Sequence, residues 1–183
     1  MSDLGAIILA GGRSQRMGHD KAALFWAGQT AAARLAGLAR ALGAADIVVA
    51  GGDYGLPFVR DAVDHAGPVG GVLAGLEALP DARRLLVLAV DAPTLTPQDL
   101  RPLLDAPPPG AAYAGLPLPM VFLRRAAPAE IASDTPLRRF VTLAGLHELV
   151  PPNADRVRLR GANTPAELDA LRRAWTHAAI PPS

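Results

Sequence analysis

Three short aliphatic runs shape the first half of the chain: Gly5 to Ala10 (GAIILA), Asp46 to Ala50 (DIVVA) and Leu85 to Val90 (LLVLAV). Each stops at a loop-forming group, respectively Gly11-Gly12, Gly51-Gly52 and Asp91-Ala92-Pro93. A strand that is apolar at nearly every position has no face to offer water, so it must be covered on both sides. Helical patterns fall between the runs. Leu35, Leu38 and Leu42 recur at helical spacing in the alanine-rich stretch from Thr30, with Gly43 as the stop, and Val72, Leu73, Leu76 and Leu79 form a stripe behind the Gly67-Pro68 break. Pro57 to Arg60 is a further short strand candidate that ends at Asp61. Strands alternating with helices in this way predict an α/β fold, with a mostly parallel central sheet and helices on both faces. Ligands of such sheets bind at the carboxyl ends of the strands. That rule lines up Gly11-Gly12, Gly51-Gly52, Asp61 and Asp91 along one edge.

The 183 residues, half of them hydrophobic, fit one domain with a sizeable core. The absence of cysteine excludes a disulfide framework, a cysteine zinc site, an iron–sulfur cluster and a thiol nucleophile. A net charge of +1 with scattered arginines argues against a nucleic-acid groove. No apolar run approaches the ~20 residues of a bilayer-spanning helix, and the first run has no basic leader before it, so neither membrane span nor signal peptide is expected. The expected location is cytoplasmic.

The second half is less regular. Thr96-Pro97-Gln98-Asp99 opens a helix through Leu103-Leu104, and Met120 to Leu123 reads as a strand. Asp134-Thr135-Pro136 is expected to cap a helix carrying Leu137, Phe140, Val141 and Leu143. Arg156-Val157-Arg158-Leu159-Arg160 alternates with period two and is expected to be a half-exposed strand. Thr164-Pro165-Ala166-Glu167 is a capping box opening a last helix, on which Leu168, Leu171 and Trp175 share a face.

The strongest local signal is Leu9-Ala10-Gly11-Gly12-Arg13-Ser14-Gln15-Arg16-Met17-Gly18-His19-Asp20-Lys21. Glycines after a strand free backbone N–H groups to approach phosphate oxygens, and the cations balance their charge. The spacing matches neither G-x-G-x-x-G nor G-x-x-x-x-G-K-[ST]. As a pattern alone, then, the stretch reads more readily as an ordinary strand–loop connection than as a phosphate loop. His19, His65, His147 and His177 show no metal-ligand spacing and read as surface residues, while Trp26 and Trp175 read as packing residues.

This loop resembles the signature of the molybdenum cofactor guanylyltransferases, members of a nucleotidyltransferase superfamily of Rossmann-like fold. The resemblance continues in order through Gly67-Pro68-Val69-Gly70-Gly71 with Ala74-Gly75-Leu76, through Val90-Asp91-Ala92-Pro93, and through Asn163-Thr164-Pro165-Ala166-Glu167-Leu168. It implies a single nucleotidyltransferase domain over residues 1–183, with a nucleotide-binding half (1–95), an acceptor-binding half (96–179) and a short tail (180–183). The implied reaction is Mg²⁺-dependent transfer of GMP from GTP to molybdopterin, releasing pyrophosphate and forming the guanine dinucleotide cofactor. In that scheme the backbone of Leu9, Ala10, Gly11 and Gly12 contacts base and sugar. Lys21, with Arg13 and Arg16, holds the triphosphate; Asp61, with Asp64 as a second candidate, contacts the nucleotide; and Asp91 binds Mg²⁺. Lys21, Asp91 and Arg13 are the implied catalytic group. GTP and molybdopterin, with or without molybdenum, are the implied partners, together with transient contacts to cofactor-biosynthesis proteins and recipient molybdoenzymes.

The chemistry asks little of the protein beyond charge neutralisation and in-line positioning, because a phosphate monoester is already an anionic nucleophile near pH 7. Each residue also has a plainer role: Asp91 as a strand-ending turn, Asp61 and Asp64 as solvated loop carboxylates, Asn163 as part of a cap, and Arg138-Arg139 as solvated cations rather than pterin-phosphate ligands. Relatives often carry asparagine where this chain has Gly51-Gly52-Asp53 and Gly161, and a basic or His residue where it has Leu118-Pro119. Other readings are a cytidylyltransferase acting on the same acceptor, a sugar-phosphate nucleotidyltransferase, or a catalytically silent nucleotide-binding and cofactor-handover protein. Ala10-Gly11-Gly12 and Asn163-Thr164-Pro165 favour GTP, since related cytidylyltransferases typically read Ala-Ala-Gly and Asp-Thr-Pro.

Of the 18 basic Lys and Arg side chains, Lys21 is the sole lysine, and it stands inside the glycine loop. Lysine is a compact point charge on a flexible stem, whereas arginine is a planar fork. Lys21→Arg therefore keeps the net charge and the melting temperature but loses most of the turnover with GTP and molybdopterin. Near wild-type turnover in that variant would make the lone lysine a coincidence of composition.

Overall fold

Strand β1 (Leu4–Leu9) is buried at every position, and its neighbours show how. The computed structural model describes residues 3–11, 21–26, 28–60, 67–152, 156–162 and 164–178. In it β1 pairs in parallel with β4 (Asp46–Ala50) on one side and with β6 (Arg84–Ala89) on the other. β5 (Phe58–Val59) extends the parallel set beyond β4. Past β6 the direction changes: β8 (Leu116–Leu123) runs antiparallel to β6, β7 (Gly110–Tyr113) antiparallel to β8, and β9 (His147–Leu149) parallel to β7. The sheet order is β5-β4-β1-β6-β8-β7-β9. A separate hairpin of β2 (Phe25–Trp26) and β3 (Gln29–Thr30) turns through Gly28.

Successive strand side chains point to opposite faces, and this divides the core in two. Ala6 and Ile8, Ile47 and Val49, and Leu86 and Leu88 pack with α1 (Ala31–Ala41), α3 (Pro97–Leu104) and α6 (Pro165–Ala178). Ile7 and Leu9, Val48 and Ala50, and Leu85 and Val87 pack with α2 (Gly67–Ala78) and α4 (Leu137–Leu143). The expected α/β architecture, with a mostly parallel sheet covered on both faces, is what the chain adopts. Among the described residues, no helix is long and apolar enough to cross a membrane.

Local sequence explains the helix ends. Thr30 Oγ1 accepts from Ala33 N at 3.2 Å at the start of α1. The Asp99 carboxylate accepts from Thr96 N at 2.8 Å and from Thr96 Oγ1 at 2.7 Å at the start of α3. Thr164 and Glu167 cap α6 reciprocally, at 2.9 and 3.2 Å. Arg124 holds three carbonyls near the end of α2, donating to Ala82 O at 2.8 Å, Leu76 O at 3.1 Å and Leu79 O.

Two expectations need correction. Arg156–Arg160 is a short helix, α5, not a strand. Five alternating residues are too few to define a period, and tertiary contacts decide instead. Leu159 enters the α1–α3 core, and Arg158 reaches the fully buried Asp99 at 3.1 Å. At α4 the N-cap is Pro136, with no side-chain cap from Asp134 or Thr135. Backbone geometry closes that turn, with Arg139 N donating to Pro136 O at 2.8 Å. The pairing of β7 with β8 and of β9 with β7, and the β2–β3 hairpin, add strands that local patterning does not mark.

Two helical glycines make opposite predictions. Gly37, on the exposed side of α1, would place a Cβ with nothing within 4 Å, so Gly37→Ala stabilises by about 0.5–1 kcal/mol. Gly75 on α2 would place its Cβ 2.7 Å from Ile7 Cγ2 in the buried β1, so Gly75→Ala destabilises by about 1–3 kcal/mol despite the better helix propensity. Denaturant unfolding of the two variants checks the opposite signs.

Candidate active site

The parallel register sets the site. Leu9 stands opposite both Ala50 and Ala89, so the chain leaves β1, β4 and β6 side by side at one sheet edge. Backbone hydrogen bonds continue past the strands. Ala10 N and Gly11 N both donate to Ala50 O, at 2.8 and 3.1 Å, and Val90 N donates to Leu9 O at 3.1 Å. Leu9 and Ala10 are buried, whereas Gly11 is exposed. Asp91 follows one residue later and is half-buried. The structure thus brings Leu9, Ala10, Gly11 and Asp91 together at adjacent strand ends.

Gly51 permits this closeness. It has φ +129°, and a Cβ there would stand 2.7 Å from Gly11 Cα and nearer still to its nitrogen. Its own N–H donates to Val59 O at 3.0 Å, tying the end of β5 to the same edge. Gly51, expected at this edge as a strand-ending glycine, thus meets Gly11 directly, and the paired glycines Gly11 and Gly51 are the signal for a close backbone approach.

Lys21 opens a 3₁₀ turn, Lys21–Ala23, whose Ala22 is fully buried in the α1-side core. Gly12, Arg13, Arg16, Asp61, Asp64 and Asn163 lie outside the described residues. Arg138, at the start of α4, donates to Gly115 O at 3.0 Å. His147 is exposed, and its Nε2 lies 3.1 Å from Pro108 O. Trp26 is buried in the core, and Trp175 carries the Arg34 guanidinium 4.0 Å above its ring.

Beside Asp91 a cavity of about 250 Å³ opens between the end of β6 and the start of β8, bordered by Leu95, Leu116, Pro119, Leu159 and Arg160. Its walls are largely apolar, with Asp91 and Arg160 supplying the charged groups. Among the described residues no three His, Asp or Glu side chains gather as a metal cage. The half-buried Asp91 carboxylate is a hard oxygen donor that could hold Mg²⁺, which commonly takes one or two carboxylates and completes its shell with phosphate oxygens and water.

The loop after β6 is held from the other direction by Arg34 on α1. Arg34 Nε donates to Pro93 O at 2.6 Å, and burial of the guanidinium lowers its pKa below the ordinary arginine value. Residue spacing gave no hint of this support.

The model of the MobA-like NTP transferase domain matches residues 6–150. The chain belongs to the MobA-like NTP transferase family. A molybdenum cofactor guanylyltransferase from Xanthomonas euvesicatoria is 32% identical over 175 residues, covering 90% of this chain and 92% of that protein. Another, from Rhodopseudomonas palustris strain HaA2, is 46% identical over 109 residues, covering 52% of this chain and 50% of that protein. A solved nucleotidyl transferase from Methanothermobacter thermautotroptrophicus shares the fold, with a TM-score of 0.72 at 18% identity over 96% of this chain and 98% of that one. As a MobA-like NTP transferase the chain is a nucleotidyltransferase, and the match spans the strand ends that carry Leu9 to Gly11 and Asp91.

Gly51→Ala tests the close approach. Strain at φ +129° and overlap with Gly11 push the β1 and β4 ends apart, so affinity for a nucleoside triphosphate falls about 10- to 100-fold. Calorimetric titration measures this loss, and circular dichroism of the variant reports the fold.

Proposed function

We propose that the chain transfers GMP from GTP to molybdopterin and releases pyrophosphate. The observation that carries this reading is the adjacency of the Leu9-Ala10-Gly11 backbone to Asp91 across the β1–β6 pair. Backbone groups at the end of β1 face one part of a nucleotide while a carboxylate at the end of β6 serves its phosphates. The relatives named as molybdenum cofactor guanylyltransferases support the choice of donor and acceptor.

In the proposed reaction an oxygen of the molybdopterin phosphate attacks the α-phosphorus of GTP. A new P–O bond forms as the bond to the bridging oxygen of the β-phosphate breaks, and pyrophosphate carries away the negative charge. The exposed Gly11 peptide and its neighbours Leu9 and Ala10 orient base and sugar. Gly12 is assigned to base and sugar with them, Lys21 and Arg13 to the triphosphate, and Asp61 to the nucleotide. Asp91 would hold Mg²⁺, which when bound neutralises phosphate charge. The apolar cavity beside Asp91 suits a flat heterocycle, with Arg160 at its border able to meet an anionic group.

Thermal stabilisation separates the nucleotides. With Mg²⁺ present, GTP raises the melting temperature more than CTP or ATP at equal concentration, because a ligand stabilises by its affinity for the folded state. A larger shift with CTP would replace the guanylyl reading with the cytidylyl one. Asp91→Ala lowers turnover of Mg²⁺·GTP with molybdopterin about 100-fold or more, and unchanged turnover would remove Asp91 from the metal role.

A further inference from the structure

The connection between α5 and α6 meets the site through its backbone. Ala162 N donates to Asp91 O at 2.8 Å. Gly161 lies against the same peptide with φ +68°, and a Cβ there would stand 2.6 Å from the Asp91 carbonyl carbon, nearer still to its oxygen, and 3.0 Å from Ala92 N. Both residues are buried. In this packing a Cβ at position 161 would collide with the peptide that follows Asp91, and glycine takes this left-handed backbone at the least cost.

The docking segment is anchored on both sides. Upstream, Arg158 is paired with the fully buried Asp99 at 3.1 Å. Downstream, the Thr164–Glu167 box fixes the start of α6. The position of 161–162 is therefore set by the tertiary structure. Asp91, by contrast, lies beyond the end of β6 at Ala89, where the sheet's regular pairing has stopped. Val90 N to Leu9 O holds the peptide before Val90, and Ala162 N holds the peptide after Asp91. Fixing that second peptide restricts rotation about the Asp91 backbone, and the carboxylate sits one carbon from that backbone.

We propose that Gly161 and Ala162 are positioning residues that lock the Asp91 peptide and so aim its carboxylate at a metal-bound triphosphate. The inference rests on the reading of Asp91 as the Mg²⁺ ligand. It assigns the backbone of Gly161 and Ala162 a role in metal binding. Mg²⁺ and Mn²⁺ are sensitive to misaimed oxygen ligands, and groups that orient a metal ligand typically change affinity by about 10- to 100-fold when altered.

The test is a Mn²⁺ titration followed by electron paramagnetic resonance at fixed GTP, on wild type, Gly161→Ala, Asp91→Ala and Gly43→Ala. Gly43 has φ +94° with nothing within 4 Å of an added Cβ, so its variant reports the effect of alanine on a left-handed backbone alone. Gly161→Ala weakens Mn²⁺ binding about 10- to 100-fold, with kcat reduced and the KM for GTP near wild type, while Gly43→Ala leaves all three unchanged. Unchanged Mn²⁺ binding in Gly161→Ala beside weakened binding in Asp91→Ala overturns the positioning role alone. Unchanged binding in Asp91→Ala overturns the metal reading and the positioning role with it. If Gly161→Ala does not fold, hydrogen exchange of the wild-type Ala162 amide decides. It slows when Mn²⁺ and GTP are added together, and unaltered exchange overturns the proposal.

Discussion

The parallel register of β4, β1 and β6 is the constraint on which the rest of the molecule depends. Because β1 is paired on both edges and covered on both faces, it has no freedom to slide by one residue: a slip would send Ile7 and Leu9 into the α1 side and Ala6 and Ile8 into the α2 side. The same register brings three chain exits to one edge. Leu9 opposite Ala50 and Ala89 sets Gly11 against Gly51 and puts Asp91 one residue beyond Val90, whose N–H is held by Leu9. The site is in this sense a by-product of packing a strand that cannot face water.

The remainder of the chain supports that edge from behind. Asp99, fully buried, accepts from Thr96 at the start of α3 and from Arg158 of α5, and Tyr113 of β7 donates to its carbonyl at 2.7 Å. α6 contributes Trp175, on which Arg34 lies while it donates to Pro93 O. The loop after β6 is thereby gripped at Asp91 O by the C-terminal segment and at Pro93 O by α1. The arginine excess also gains a physical reading here. Arg124 spans three carbonyls at the end of α2, while Arg34, Arg84 and Arg138 each donate to a distant carbonyl. A planar guanidinium reaches several oxygens at once, which a lysine ammonium does in no fixed geometry.

Legibility followed the range of the interactions. Asp46 to Ala50 reads as a strand and is one, because the continuous burial of the four residues after Asp46 leaves a continuous apolar run. Thr96, Thr164 and Thr30 read as caps or helix starts and act so, because a cap is settled within three residues. Arg156 to Arg160 misleads because its alternation is short, and the partner that decides its state, Asp99, lies far away in sequence. The short strands β7 and β9 were hidden for a related reason: Gly110–Tyr113 is mostly small residues, and His147–Leu149 has only an edge to occupy.

By itself, the sequence determined the alternation of strands and helices, the parallel character of the sheet centre, the starts of α1, α3 and α6 and the nucleotidyltransferase signature that includes Leu9 to Gly11 and Asp91. These follow from hydrophobic period, local hydrogen bonding and motif order, which act between neighbours in the chain. Only the tertiary structure decided that Gly51 stands bare where Gly11 passes against it, that Gly161 stands bare where the Asp91 peptide packs on it, and that α5 is a helix because Asp99 waits for Arg158. Those are contacts between segments remote in sequence, and close approach of two backbones leaves no mark on either segment except a glycine whose reason lies in the other.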